Sequence, residues 1–423
     1  MLTLLLGLGF AQTTYVPDFT LTFGSPIVFA THAELAADGF TYGPSDGAFG
    51  GIATGAATYT FYGDAESNAA CTGTATNLAG SYAFSATLDH VTGGCKRMFG
   101  PGDAPAGWAF ANDYAGGGQV VRFSTSGLLM VFHTEYHWLN PANPPSQKCF
   151  VSGSTTSAVP CFYSSIGLAL SADNGQTFKI VGQIVQPAQP LSVFQGGGTN
   201  MDVGYGSMFI ADANGAHLDN SPPDPGSAYF YVLFSDLLPG LPGACAANNC
   251  MGIGRAAYND VIAAATSGDP HRVAGLFHKY DGAWTQPATA FVQGGATPDL
   301  SGTSGKFTPL WTDEGTHEPV AIYDRSFGVY LVVYPFSNTV HLRASKDLIH
   351  WSKPFPATYS EAGNSLIYPT LIGETGDPTV GAMAPRLYFS SFPAGKFPDY
   401  TTATFESIPI ILATIPRRRS AKH

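Results

Sequence analysis

Apolar residues in this chain come in short runs separated by clusters of Gly, Pro, Asn, Asp and Ser. Leu128 to Glu135 (LLMVFHTE), Ile166 to Ser171, Ser207 to Ala211 and Ala228 to Ser235 are such runs. Met251 to Ala256, Val320 to Tyr323, Val329 to Tyr334 and Thr339 to Ser345 continue the series, and Ile367 to Ile372, Arg386 to Ser390 and Ile410 to Ile415 end it. Each has the length and β-branched or aromatic content of a strand. Period-2 alternation is imperfect, because most positions in a run are apolar. Strands covered on both faces read this way. Pro26 to Ala30 and Thr58 to Tyr62 are expected to begin a first unit, and Gly275 to Trp284 to close a middle one. The spacing suits about five four-stranded units. No segment shows a sustained helical period, and the one stretch where a short helix is expected as an option is near Asp260 to Ser267. The expected fold is all-β: one β-propeller domain with five blades, six being the alternative count. A β-sandwich with appended loops is the rival architecture.

Two turns recur among these strands. Ser171 to Phe178 reads SADNGQTF, and Ser345 to Trp351 reads SKDLIHW. In the first, Asp173 can accept backbone N–H groups inside the turn, Gly175 allows a positive φ, and Phe178 re-enters a strand. The second keeps Ser, Asp and a closing aromatic but lacks the glycine.

Composition agrees with strands and turns. The 423 residues include 50 Gly and 31 Pro, 13% are aromatic and only 12% are charged. Net charge is −11, which disfavours nucleic acid as a partner. Residues 1–11 read as the apolar part of a secretory signal, residues 12–416 as the propeller and residues 417–423 as a basic tail. No other run is long and apolar enough to cross a bilayer, so the mature chain is expected to be secreted or periplasmic and free of membrane. Six cysteines fit an oxidising compartment. Proximity favours pairing Cys71 with Cys95, Cys149 with Cys161 and Cys245 with Cys250, out of the fifteen arrangements that six cysteines allow.

With SADNGQTF, the Ser345 to Trp351 turn, the Tyr368-Pro369-Thr370 segment and the FHKYDGAW hairpin at Phe277 to Trp284, residues 110–415 resemble secreted propeller glycoside hydrolases. Two groups share these features: sialidase-like proteins with Asp-boxes, and the arabinanase, xylosidase and fructosidase-like five-bladed enzymes. The resemblance implies a carbohydrate substrate and a site at one mouth of the central channel. No sialidase arginine triad can be placed in this chain.

Glycoside hydrolysis needs two carboxyl groups across the scissile bond, one protonated and one ionised. Glu135, Asp202 and Glu318 are the leading candidates, followed by Asp113 and Asp64, each beside a strand. In HTEYHW, His133, Glu135 and His137 share one face of a strand and Trp138 can stack on a sugar ring. Those three side chains could line a sugar pocket or bind a divalent cation. No cofactor is required by the hydrolase reading. Arg255, His341 and Arg343 are candidate substrate-binding cations, or else partners in ion pairs between blades. The alternatives are a non-catalytic propeller that binds glycan or protein, and a metal-dependent lyase or esterase built on His133, Glu135 and His137. The glycine runs 116–118 and 196–198 lack the ending of a phosphate loop.

Overall fold

The computed structural model describes residues 14–42, 47–67, 71, 78–104, 110–111, 114–137, 148–150, 158–188, 203–219, 222, 224–236, 249–269, 272–284, 307–316 and 318–416. The chain enters through β1 (Phe19–Phe23), β2 (Ile27–Thr31) and a short helix α1 (His32–Ala37). Blade I follows, with β3 (Phe40–Tyr42) and β4 (Gly50–Ala53) both paired to β5 (Tyr59–Ser67), then β6 (Leu78–Ala86) and β7 (Val91–Phe99). Blade II contains β8 (Tyr114–Ala115) and β9 (Val120–Arg122), both paired to β10 (Leu128–His137). A hairpin of β11 (Lys148–Phe150) and β12 (Ala158–Pro160) intervenes before the blade ends with β13 (Phe162–Ser171) and β14 (Lys179–Val185).

Blade III is β15 (Gly204–Asp212), β16 (Ala228–Asp236), β17 (Cys250–Ala257) and β18 (His278–Lys279), with helix α2 (Tyr258–Ser267) between its last two strands. Blade IV is β19 (Val320–Asp324), β20 (Val329–Phe336) and β21 (Thr339–Ser345). Blade V joins β22 (Asn364–Ile372), β24 (Arg386–Pro393) and β25 (Thr404–Thr414) to β1 and β2, while the short β23 (Val380–Gly381) crosses to pair with β19. The protein is therefore a five-bladed β-propeller.

Three expectations change here. The Pro26 to Ala30 run does not begin blade I: β2 pairs with β25, and β1 pairs with β25 from Phe19–Thr414 to Phe23–Ile410. The N-terminal strands thus complete the last blade and leave the ring without a seam edge. The Thr58 to Tyr62 run does not begin that blade either: it leads into β5, the second strand, because β4 takes the inner position on it. In the Gly275 to Trp284 run only His278 and Lys279 are extended.

Burial explains the weak alternation. Leu128 to Phe132 are all fully buried, as are Tyr330 to Val333. Side chains on both faces of such strands meet the neighbouring blades. Between blades V and I the filling is aromatic: Phe49 lies 5.3 Å from Phe61, 5.2 Å from Tyr388 and 5.7 Å from Phe405, all edge-on. Edge-on pairs add about 0.5–1.5 kcal/mol each beyond area burial. Near the axis, buried Gln119 ties three blades together. Its amide donates to the Ala321 carbonyl at 2.7 Å and accepts from the Met208 amide at 2.6 Å.

The two expected turns form as hydrogen-bonded hairpin ends. Thr177 N donates to Asp173 Oδ1 at 2.9 Å, and Gly175 has φ +82°. In the second turn Asp347 Oδ1 accepts from Ile349 N and His350 N, and Leu348 takes the positive φ that glycine takes in the first. Both turns lie at the end of the ring opposite the starts of the inner strands.

Candidate active site at the channel mouth

The starts of the inner strands gather at one end of the ring. Four glycines make this possible. Gly116, Gly117, Gly50 and Gly204 each sit where a β-carbon would strike a neighbouring chain. At Gly116 the obstacle is the Asp64 carboxylate, and at Gly204 it is the Ser235 hydroxyl and the backbone of Glu318. The Gly116 to Gly118 run is thus a close-packing device beside an acid, in line with its having no phosphate-loop ending.

Asp64 rises on β5 and is 1% exposed. Its Oδ2 accepts the hydroxyl of Tyr205 at 2.7 Å, and also that of Tyr114. Asp64 belongs to blade I, Tyr114 to blade II and Tyr205 to blade III, so three blades converge on one oxygen. Hydrogen bonds to the charged form favour ionisation of a carboxylate. Tyr205 also lies against His133, ring on ring, with centroids 4.7 Å apart.

From His133 a second network runs outward along β10. His133 Nε2 lies 3.2 Å from Glu135 Oε1, and His137 Nε2 lies 2.5 Å from Glu135 Oε2. The three share one strand face, as their spacing requires. Burial pushes the Glu135 carboxyl up, but the hydrogen bonds and charge of His133 and His137 outweigh burial and leave it below the usual carboxylate range. Glu135 is therefore ionised at neutral pH and is poorly suited to deliver a proton. Its oxygens are engaged by imidazoles, and among the described residues no group of three His, Cys, Asp or Glu side chains is arranged to hold a metal ion.

Glu318 stands immediately ahead of β19, 8% exposed, with φ +46°. A glutamate in this left-handed region is uncommon, and such strain gathers at functional sites. Tyr368, at the irregularity in β22, has φ +58°. The dipeptide Gly204-Tyr205 connects the acids: Gly204 packs on the Glu318 backbone while Tyr205 holds Asp64. Neither Tyr114 nor Tyr205 was foreseen from sequence. The only hint was position, since each closely follows a candidate acid, Asp113 or Asp202.

Other expected residues lie elsewhere. Arg255, on the third strand of blade III, sits 4.5 Å from the Tyr229 ring centre and 4.3 Å from that of Trp284, and donates to the Ala213 carbonyl. His341 and Arg343 share a face of β21, as expected, but the face is turned toward Glu314. Arg343 is 2% exposed and also bonds Tyr334, Ser352 and Asp313. His341 and Arg343 thus make ion pairs with Glu314 and Asp313, while Arg255 is held by aromatic rings and a carbonyl. Asp113, Asp202 and Trp138 lie outside the described residues. Cys71 and Cys95 form a disulfide. Cys161 and Cys250 are also disulfide-bonded; Cys245 lies outside the described residues, as does the side chain of Cys149.

Fold and site thus define a five-bladed propeller with buried acids at one mouth. Solved structures with similar chain paths are glycoside hydrolases. Zg3597, a family 117 glycoside hydrolase from the marine bacterium Zobellia galactanivorans, matches with TM-score 0.48 and 8% identity over 93% of this chain and 90% of that one. The catalytic domain of the Coprinopsis cinerea GH62 alpha-L-arabinofuranosidase matches with TM-score 0.45 and 9% identity over 93% and 98%. A glycosyl hydrolase from Bacteroides ovatus matches with TM-score 0.42 and 11% identity over 94% and 96%. No family model matches the sequence, and no curated protein does.

Proposed function

We propose that the protein is a glycoside hydrolase that acts on a poly- or oligosaccharide through carboxyl groups at the channel mouth. One observation carries this reading: two tyrosine hydroxyls from two other blades converge on one buried oxygen of Asp64. An enzyme of this kind needs one carboxylate kept charged within an enclosed site, and the tyrosines supply that stabilisation. Asp64 is assigned the ionised role, as nucleophile or as base toward water. Glu318, nearly buried and held in a strained backbone, is assigned the acid role. Burial favours the neutral, proton-delivering form of a carboxyl group. Glu135 is assigned the task of fixing His133 and His137 at the rim, where they can bind sugar hydroxyls. The disulfides suit an extracellular or periplasmic setting.

Asp64→Asn and Glu318→Gln test the assignment on a panel of polysaccharides and aryl glycosides. Each amide keeps the shape but cannot ionise or deliver the acid proton. Turnover should fall by about 10²–10⁴-fold in each variant, with the melting temperature nearly unchanged. Full activity in both would remove these residues from the chemistry. Glycan binding without turnover in the wild type would favour a non-catalytic binding propeller.

A further inference from the structure

At the opposite end of the ring, blades IV and V are joined by an unusual contact. The chain between β22 and β24 sends β23 across to run parallel to the end of β19, pairing Tyr323 with Val380 and Asp324 with Gly381. Tyr323 N donates to the Thr379 carbonyl at 2.9 Å, and Arg325 N to the Gly381 carbonyl at 2.9 Å. Each partner carries an acid. Asp324 is fully buried, and its Oδ1 accepts the Phe327 amide at 2.9 Å. Glu374 uses Oε1 to accept the amides of Ala382, Met383 and Ala384 at 2.8–3.0 Å. The second oxygen of each, Asp324 Oδ2 and Glu374 Oε2, is buried without a hydrogen-bond partner.

We propose that Asp324 and Glu374 form a proton-operated latch between blades IV and V, closed when Asp324 is neutral and loosened when both carboxyl groups are charged. A buried, unpartnered anionic oxygen is costly, and a like charge beside it adds to the cost. A single proton on Asp324 removes both penalties. The surrounding groups leave this balance intact. Asp377 is turned to the amide and hydroxyl of Thr379. Arg325 is exposed and reaches Asp219 at 3.4 Å. His217, from blade III, is stacked on Tyr323 with ring centres 4.0 Å apart. Burial first, and then the charge of Glu374, push the Asp324 carboxyl up to about 6 from 3.8. A group raised in the folded state contributes stability that is fully present below its ordinary pKa and is lost as pH rises through the raised one. The latch therefore weakens as pH climbs through about 6.

Hydrogen exchange at the Tyr323 and Arg325 amides, corrected for intrinsic rates, reads the latch directly. Protection in the wild type should fall by about tenfold from pH 5 to pH 8, given those two pKa values. Asp324→Asn keeps the acceptor for Phe327 and stays neutral, so it should hold protection constant over that range. Glu374→Gln removes the repelling charge while keeping an acceptor for the three amides. It should shrink the change, and it decides the matter if the Asn variant does not fold. Equal protection of the wild type at both pH values, or a tenfold fall that persists in either variant, would overturn the latch.

Discussion

His217 offers a measurement of how this ring responds to acid. Both of its ring nitrogens are buried without hydrogen-bond partners, and its imidazole lies nearly parallel to Tyr323. Burial pulls its pKa down to about 4 from 6.5, although Asp219 and Asp377 act in the other direction. The unfolded chain thus takes up this proton before the folded one does. A histidine depressed in the folded state contributes stability that is present above pH 6.5 and is lost as pH falls toward 4. Each pKa unit corresponds to about 1.4 kcal/mol, so the full difference is about 3 kcal/mol. Between pH 7 and pH 4.5 about 2 kcal/mol of that is expended. His217→Phe keeps an aromatic ring against Tyr323 and cannot titrate. In urea unfolding at the two pH values, the variant should lose about 2 kcal/mol less stability than the wild type. Asp324 titrates with the opposite sign in an overlapping window, but it is common to both proteins and cancels in the comparison. Equal losses in wild type and variant would show that His217 is not buried in its neutral form.

Two further outcomes follow from the same geometry. Replacing Cys71 and Cys95 with serine opens a loop with a sequence separation of 24 and should cost about 3 kcal/mol in urea unfolding by the chain-entropy relation; an unchanged midpoint would refute the structural role of this link. Gly116→Ala places a methyl group against the Asp64 carboxylate, so the proposed glycosidase turnover should drop at least tenfold while circular dichroism stays that of the wild type; undiminished turnover would show that the tyrosine-held position of Asp64 is not needed.

Much of the architecture was legible because of local chemistry. Strands sandwiched between blades must be apolar throughout, and that leaves the short runs seen at Leu128 to Phe132 and Tyr330 to Val333. Turn chemistry fixed Ser171 to Phe178, since Asp173 and Gly175 make their contacts within a few residues. Strand period alone put His133, Glu135 and His137 on one face. The failures share a cause, which is distance along the chain. Nothing near Ile27 signals that its partner is Ser407, so β2 was assigned to the wrong blade. Tyr205 is one of 20 tyrosines, and its bond to Asp64 spans 141 positions. His341 and Arg343 showed the right shared face, but period 2 does not say whether that face looks toward the axis or toward Glu314.

The pairing of β1 with β25 also dictates an order of events during synthesis. Residues Phe19 to Phe23 emerge from the ribosome long before their partners, Ile410 to Thr414. Blades I to III contain their own strands and blade IV takes only the short β23 from later in the chain, so these four can form as the chain lengthens. The first strand must wait, with its backbone N–H and C=O groups unpaired, until the final strand arrives. A chain released a few residues before Ile410 would present four finished blades and two sticky edges, an aggregation-prone product for quality control to recognise.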